Sequence, residues 1–249
     1  MDFLVSTSAD GTRVLLWPNL AQLWIWFMMY SVIGWLWEVA LSFLQGRGFV
    51  NRGFLNGPYC PVYGTGALLV VHLLENLASP FLIFLAAAVI TTTVEYLTSY
   101  VMEKLFDGRW WDYSDKPLNI NGRVYATGSI AFGLLSLLVI RFVQPWFSRL
   151  TALLSPALLY VIAGTSALIV SLDLTHTVIN LVDFKHVLAE LHKRFSIHPL
   201  DRIETPRLAH FLEKRRSQSR RWIRAFPRIR FDKLEEGLKR LKEFLEDES

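Results

Sequence analysis

Three acidic residues, Glu38, Glu95 and Asp173, lie inside long apolar stretches of the sequence. Charge in the hydrocarbon region of a membrane is costly, so such residues usually face the interior of a helix bundle or a water-filled cavity. Carboxylates in that setting can bind a proton or a cation, or act as general acids and bases. Their placement predicts a polar site within an otherwise apolar protein.

Each acid shares a predicted helical face with other polar side chains. Ser and Thr at such positions can form hydrogen bonds between helices. These groups either form a functional site or hold the helices together, with Asp173 and His176 able to satisfy each other at i, i+3 spacing. The three polar stripes are Ser31–Glu38–Ser42, Thr91–Glu95–Thr98 and Asp173–His176–Asn180.

Five apolar segments would position these residues. Hydrophobic residues make up 52% of the 249-residue chain and charged residues 19%, and several segments approach the roughly 20 residues that span a bilayer. The composition predicts an all-α, polytopic membrane bundle at 20–182, between a short N-terminal segment at 1–19 and a cytoplasmic tail at 183–249. The segments are Leu20–Leu44, Pro61–Leu74, Pro80–Met102, Tyr125–Val143 and Pro156–Val182.

The basic residues predict the orientation. Of the 26 Lys and Arg, 17 follow Val182, and six more lie in the loops after the first and third segments. Because cytoplasmic segments carry the excess of Lys and Arg, we expect the N-terminus outside and the C-terminus in the cytoplasm of a bacterial inner membrane. Glu38, Glu95 and Asp173 then lie at similar depth in the cytoplasmic half of the bilayer.

The loop at 48–66 is rich in Gly and Pro but also apolar and aromatic. Irregular backbone near a membrane is tolerated where protein buries it or where it lines a cavity, and interrupted segments often form transporter binding sites. The loop therefore indicates either a re-entrant entry to the short second segment or a tight structural turn. Its candidate binding residues are Arg52 and Asn56.

The loop at 103–123 combines Arg, Trp, Asp and Tyr. Arg109 and Arg123 can pair with Glu38, Glu95 or Asp112, or bind an anionic headgroup or phosphate in bidentate fashion. The alternative is an interfacial aromatic belt with ordinary ion pairs. Arg109, Asp112 and Arg123 complete the predicted binding set.

Motifs in these loops and helices resemble a bacterial membrane family known as ABC-transporter type IV, or CmpB-like. The resemblance covers roughly residues 25–180 and excludes the basic tail. It implies a permease-like role, without an established substrate or catalytic residues. The runs that carry it are Ser31–Trp35 with Glu38, Gly53–Pro58, Pro61–Gly64, Glu95–Ser99 with Met102 and Glu103, and Arg109–Ser114.

The chain has no phosphate loop, zinc motif, nucleophile elbow or cysteine pair, so any ATPase must be a separate chain, and we expect no cofactor or metal. We therefore expect a permease-like component that moves a small solute or lipid-like molecule, and a homo-oligomer because five spans are few for a permease. The alternatives are an intramembrane enzyme that acts on a lipid or phosphate-bearing headgroup, with catalytic residues unknown, and a membrane scaffold.

The tail contains eight basic residues between Lys214 and Arg230, interleaved with apolar ones. Such a segment favours binding to anionic lipid; tethering beside a membrane makes nucleic acid the weaker interpretation. The stretch 231–245 predicts an amphipathic helix that packs on the bundle, a partner or a second copy, or stays solvated. The predicted membrane-surface residues are Arg215, Arg216, Arg220, Arg221, Trp222 and Arg224.

Overall fold

The apolar segments form helices, in which the backbone satisfies its own hydrogen bonds. The computed structural model describes residues 5–7, 13–15, 17–197 and 220–246, with side chains described at 20–193 and 220–243. Two short antiparallel pairs accompany the helices, β1 (Val5–Thr7) with β2 (Arg13–Leu15) and β3 (Asn119–Ile120) with β4 (Val124–Tyr125). The helices are α1 (Trp17–Leu44), α2 (Pro61–Leu74), α3 (Pro80–Phe106), α4 (Ala126–Leu138), α5 (Gln144–Ala152), α6 (Pro156–Ile197), α7 (220–225) and α8 (Glu235–Glu246).

Four helical stretches in the described part of the chain are long and apolar enough to cross a membrane. Helix α2 has 14 residues, which makes it about 21 Å long, short of a hydrocarbon core of roughly 30 Å. The predicted all-α membrane bundle is confirmed, while a fifth crossing by α2 stays a prediction. The four stretches are Leu20–Leu44, Pro80–Phe106, Ala126–Ala152 and Pro156–Lys193.

Large apolar side chains on these helices face outward. On α6, Val161, Leu168 and Leu172 are each at least 60% exposed. A water-soluble protein rarely exposes a continuous apolar surface of this kind, whereas lipid tails solvate it. The exposure supports the assignment of these helices to a bilayer.

Several helices extend beyond the apolar segments that predict them, as α1 does by beginning at Trp17. Helix α3 continues from Met102 to Phe106, and α6 continues to Ile197, so the predicted domain boundary at 182/183 falls inside one helix. The fourth segment continues past Val143 through a π-helical turn, Val139–Val143, into α5. Pro145 follows this turn and lacks a backbone N–H, which explains the local change in helical pairing.

The chain forms two compact units, and α1, α3, α4 and α6 each contribute to both. The first unit comprises Met1–Gly34, Tyr59–Val94 and Ser129–Leu172. The second unit comprises Trp35–Pro58, Glu95–Gly128 and Asp173–Ser249, and therefore contains both motif-bearing loops and the tail.

In the first unit, α1 and α2 approach closely because small residues separate them. A Cβ atom on Gly64 would meet the Ser31 hydroxyl and lie 2.6 Å from the Phe27 carbonyl oxygen. Small residues at helix contacts in membranes allow this approach. In the same turn of α1, the Tyr30 hydroxyl donates a buried hydrogen bond of 2.6 Å to Gln144 Oε1.

The second unit has its own apolar core, in which the tail packs on α6 and on the second loop. Leu238 and Leu241 of α8 are buried in this core. A Cβ atom on Gly237 would collide with the Leu188 carbonyl oxygen, so glycine permits α8 to lie directly against α6. The buried core residues are Trp110, Leu181, Phe184, Val187, Leu188, Leu191, Trp222, Ile229, Phe231, Leu238 and Leu241.

Candidate functional site

The first loop, residues 46–60, is shaped by the side chain of Asn51. Its Oδ1 accepts hydrogen bonds from Trp35 Nε1 at 2.9 Å and from the Gly53 amide at 3.2 Å. Its Nδ2 donates to the Asn56 carbonyl oxygen at 2.8 Å. One amide side chain thus satisfies the backbone at both ends of a turn that has no regular secondary structure.

Asp173 on α6 binds the same turn from its amide side. Its Oδ1 accepts from the Asn56 amide at 3.1 Å and from Asn56 Nδ2 at 2.8 Å, and its Oδ2 accepts from the Gly57 amide at 2.8 Å. His176 lies one turn along α6, with Nδ1 3.4 Å from Asn56 Nδ2 and 3.2 Å from Asn180 Nδ2. The polar stripe of α6 therefore contacts the predicted binding residue Asn56.

The ordered loop places Arg52 beside Glu38 of α1. Arg52 Nη1 lies 3.1 Å from Glu38 Oε2, and both side chains are about one-quarter exposed, at 25% and 22%. Partial burial strengthens an ion pair relative to one at an open surface. The sequence placed both residues in the binding set without predicting this pair.

Glu95 of α3 belongs to the same cluster. It lies within electrostatic range of Glu38, and it has no hydrogen bond or ion pair within the described part of the chain. Tyr113 completes the group, since burial and then the charges of Glu95 and Glu38 raise the pKa of its hydroxyl. The Tyr113 ring packs on Tyr125, with centroids 4.7 Å apart. We call this group the polar cluster; it comprises Glu38, Arg52, Glu95, Tyr113 and Tyr125.

Glu103 organises the second loop. Its Oε2 accepts hydrogen bonds of 2.9 Å from both Arg109 Nε and Arg123 Nη1. Arg123 is only 6% exposed, and its guanidinium lies over the rings of Tyr96 and Tyr100 at 5.6 and 5.4 Å. Arg109 and Arg123 are thus both paired with Glu103, a carboxylate that lies in one of the family motifs but is not among the predicted site residues.

Asp112 joins the second loop to the tail. Burial acts to raise the pKa of its carboxyl, but hydrogen bonds from Ser114 and Arg230 outweigh burial and lower the pKa to about 2. Arg230 Nη1 lies 2.8 Å from Asp112 Oδ2, and Arg109 and Arg230 exchange two backbone hydrogen bonds of 2.8 Å. Asp112 and the Arg109 backbone therefore both bind the tail at Arg230.

An open groove of about 410 Å³ lies beside Asp112. Its cations are largely neutralised, since Arg228 forms a bidentate pair with Asp115 at 2.8 and 3.0 Å. Among the described residues, Lys242 Nζ forms a hydrogen bond only with the Pro227 carbonyl oxygen, at 3.4 Å. The groove lining comprises Asp112, Ser114, Asp115, Pro227, Arg228, Ile229, Arg230 and Lys242.

The predicted membrane-surface residues fall into different environments. Arg215 and Arg216 lie outside the described residues. Trp222 has no exposed surface and belongs to the core of the second unit, so contact with lipid would require that core to open. Arg221 contacts the first loop, whereas Arg224 is exposed and Arg220 is partly exposed.

The predicted site residues thus separate into three groups, all within the second unit. Glu38, Arg52 and Glu95 lie in the polar cluster. Asn56 belongs with Asp173, and the second-loop residues Arg109, Asp112 and Arg123 bind Glu103 or the tail. Among the described side chains, no three His, Cys, Asp or Glu residues group as a metal site.

These features define a multi-pass helical membrane protein whose polar chemistry is concentrated in two loops and the adjoining helix ends. The chain belongs to the family described as "Putative ABC-transporter type IV", which it matches over residues 25–178. The predicted family is confirmed. No curated protein and no solved structure shows a significant match to the chain.

Proposed function

We propose that this protein is a permease-like component that moves a small solute or a lipid-like molecule across the inner membrane. The single observation that carries the proposal is Glu95, a carboxylate in a spanning helix with no hydrogen bond or ion pair in the described part of the chain. Ionisable residues inside membrane segments generally mark substrate, ion or proton pathways. Membership of an ABC-transporter-type family also supports a permease-like role.

The charge of the polar cluster suggests how it would act. Glu38 is paired with Arg52, and a second carboxylate, Glu95, lies within electrostatic range of Glu38. With all three ionised the cluster carries one excess negative charge, which favours uptake of a proton or a cationic group. Neutralising Glu38 would weaken its hold on Arg52 and free that guanidinium for an anionic group of the substrate. We assign recognition of the anion first to Arg52, with Arg109 and Arg123 as supporting residues.

Transport of this kind would need an energy source. The sequence has no phosphate loop, so we infer that any ATPase is a separate chain that binds the cytoplasmic face. The excess of basic residues in the loops and tail supports a cytoplasmic C-terminus and an external N-terminus. We also propose a homo-oligomer, because four long spans are few for one permease; native mass spectrometry from detergent would measure the number of copies.

The in-cell experiment compares cells that lack the chain with cells that express wild type, Glu38→Gln, Glu95→Gln or Glu75→Gln at equal levels. Glu75 is an exposed acid outside the long spans and serves as the matched control. Mass spectrometry measures solutes in cells and medium and lipids in the envelope. We expect the two cluster variants to reproduce the distribution seen without the protein, and Glu75→Gln to match wild type. Wild-type distributions in both cluster variants would contradict the proposal.

The same experiment separates the other two functions. An intramembrane enzyme would change the chemical identity of a lipid or solute, and the purified protein would turn it over in detergent without an ATPase. The enzyme remains a candidate because Glu38, Glu95 and Tyr113 offer acid–base groups near a cationic side chain. If the protein is a scaffold, Glu38→Gln and Glu95→Gln should alter only the amount or the assembly of the protein.

The exposed basic residues of the tail support a further contact with anionic lipid. Arg220 and Arg224 are the described members of the predicted surface set that retain exposed area without a role in the core. Each basic residue near an anionic membrane contributes about 1 kcal/mol. Replacement of both by Ala should lower the affinity of the protein for anionic lipid, measured by native mass spectrometry with phosphatidylglycerol, and leave its thermal stability unchanged.

A further inference from the structure

A partly buried arginine of the tail, Arg221, binds the carbonyl side of the first loop. Arg221 Nη2 donates to the carbonyl oxygens of Gly53 at 3.2 Å, Phe54 at 3.4 Å and Leu55. Asp173 accepts from the next two amides, those of Asn56 and Gly57. One turn of backbone is therefore held by a cation at its carbonyl groups and by an anion at its amide groups.

The surroundings of Arg221 indicate that this contact is specific. Its guanidinium lies 4.8 Å from the Trp222 ring centroid, and burial lowers its pKa against the opposing effect of Asp173. Its Nε and Nη1 are buried and have no hydrogen-bond partner among the described residues. Burial of a charge is costly unless hydrogen bonds compensate it, and the hydrogen bonds that this guanidinium makes in the described structure go to the first loop.

An aromatic contact holds the same turn from a third direction. Phe54 packs against Phe106, Trp110 and Trp222, with ring centroids 5.8, 5.2 and 5.6 Å away. Trp222 is adjacent to Arg221 in the chain, so two consecutive residues of α7 contact three consecutive residues of the loop, Gly53, Phe54 and Leu55. The tail is thus fitted to this turn through both polar and apolar groups.

We propose that Arg221 is a positioning residue for the loop that presents Arg52 to Glu38. Arg52 directly precedes Gly53, and its pair with Glu38 depends on an N–O distance of 3.1 Å. A shift of the loop by about 1 Å would bring this distance to about 4 Å, the limit for an ion pair. The tail lies outside the family match at residues 25–178, yet it would complete the candidate site. The effect on transport rests on the proposed function, whereas the positioning of the loop does not.

Hydrogen–deuterium exchange of the full-length protein in nanodiscs tests the positioning. Arg221→Ala should raise exchange of the Asn56 and Gly57 amides about tenfold or more, as expected when hydrogen bonds to a charged group are lost. The amides of Arg109 and Arg230, which bridge the second loop and the tail, should keep wild-type exchange. Arg224 is an exposed arginine on the same helix, and Arg224→Ala should leave the exchange rates of both pairs of amides unchanged.

Arg221→Lys provides the conservative variant, since it keeps the charge but loses the planar fork. The rate of loop-amide exchange in Arg221→Lys should lie between those of wild type and Arg221→Ala. If the alanine variant does not fold, the comparison of Arg221→Lys with wild type tests the positioning role. Wild-type loop exchange in the folded variant, or an equal rise at the Arg109 and Arg230 amides, would overturn the proposal.

The in-cell solute measurement separates this inference from the proposed function. Arg221→Ala should shift the solute distribution towards that of Glu95→Gln, and Arg221→Lys should partly restore it. A selective rise in loop exchange with normal solute distribution in Glu95→Gln would refute the transport role and leave the positioning intact. A transport defect in Glu95→Gln with wild-type loop exchange in Arg221→Ala would refute the positioning alone.

Discussion

Glu103 is the residue whose loss should most directly disturb the second loop. Its Oε2 accepts hydrogen bonds of 2.9 Å from Arg109 and Arg123, and Arg123 is 6% exposed. Glu103→Gln keeps the size of the side chain but removes the charge, which leaves the buried Arg123 beside a neutral amide. Arg109 keeps the Asn121 carbonyl oxygen at 3.2 Å and Arg123 keeps the Ser99 hydroxyl at 3.2 Å. Because the Arg123 side chain is 7% exposed and that of Arg109 is 22% exposed, Arg123 should account for most of the effect.

The expected loss of stability follows from burial. Removal of one partner from a fully buried pair costs about 3–5 kcal/mol. The Glu103 side chain is 28% exposed and glutamine can still accept a hydrogen bond, so we expect about 2–3 kcal/mol. For a chain of this size, roughly 2–4 °C of Tm accompanies each kcal/mol, which gives a decrease of about 4–12 °C.

Intrinsic tryptophan fluorescence during heating in detergent would measure this change. Trp110 and Trp222 lie in the core of the second unit and report on its unfolding. Glu75→Gln, at an exposed position, should shift Tm by less than about 1 °C, since surface substitutions change stability by within about 0.5 kcal/mol. A Tm for Glu103→Gln that equals that of the Glu75 control would refute the role of Glu103 as the organising carboxylate.

Three further predictions concern other parts of the chain. Gly64→Ala should cost about 1–3 kcal/mol through steric overlap with α1, while Gly164→Ala, which meets nothing within 4 Å, should leave Tm unchanged; equal Tm values would contradict the close approach. Asp173→Asn should speed exchange of the loop amides about tenfold, and Glu190→Gln, an exposed acid on the same helix, should not. The pKa of Asp112 is lowered from 3.8 to about 2, so its stabilisation is present above about pH 4 and is lost as pH falls towards 2; Asp112→Asn should flatten this part of the Tm–pH curve, and parallel curves would rule the contribution out.

Much of the fold could be predicted from local sequence. Long apolar runs specify membrane helices because lipid leaves the backbone no other hydrogen-bond partners. The ends of the helices were less predictable. An apolar run stops at the first charged residues, whereas a helix can continue past them, as α6 does to Ile197. A crossing by α2 also stays a prediction, because its 14 residues fall below the length of a clear span.

The composition of the candidate site was partly predictable, but its pairing was not. The cost of charge in apolar segments predicts Glu38 and Glu95 as site residues, and the irregular first loop predicts Arg52; the structure places the three in one cluster. Glu103 and Tyr113 are not among the predicted site residues, although both lie in the sequence motifs that carry the family resemblance. The prediction also treated Arg221 and Trp222 as lipid-facing, because a basic and aromatic segment at a membrane gives no sign of which ring is buried.

The sequence by itself determined the membrane class, the family, the apolar helices and the identity of the rare charges within them. Hydropathy and charge are properties of neighbouring residues, so they can be read along the chain. Only the tertiary structure decided the partners. Asn56 meets Asp173 across 117 residues, and Arg221 meets Leu55 across 166. Periodicity shows which face of a helix is polar, but the partner of that face depends on how the chain folds back. That distant pairing places the tail against the first loop and Arg52 against Glu38.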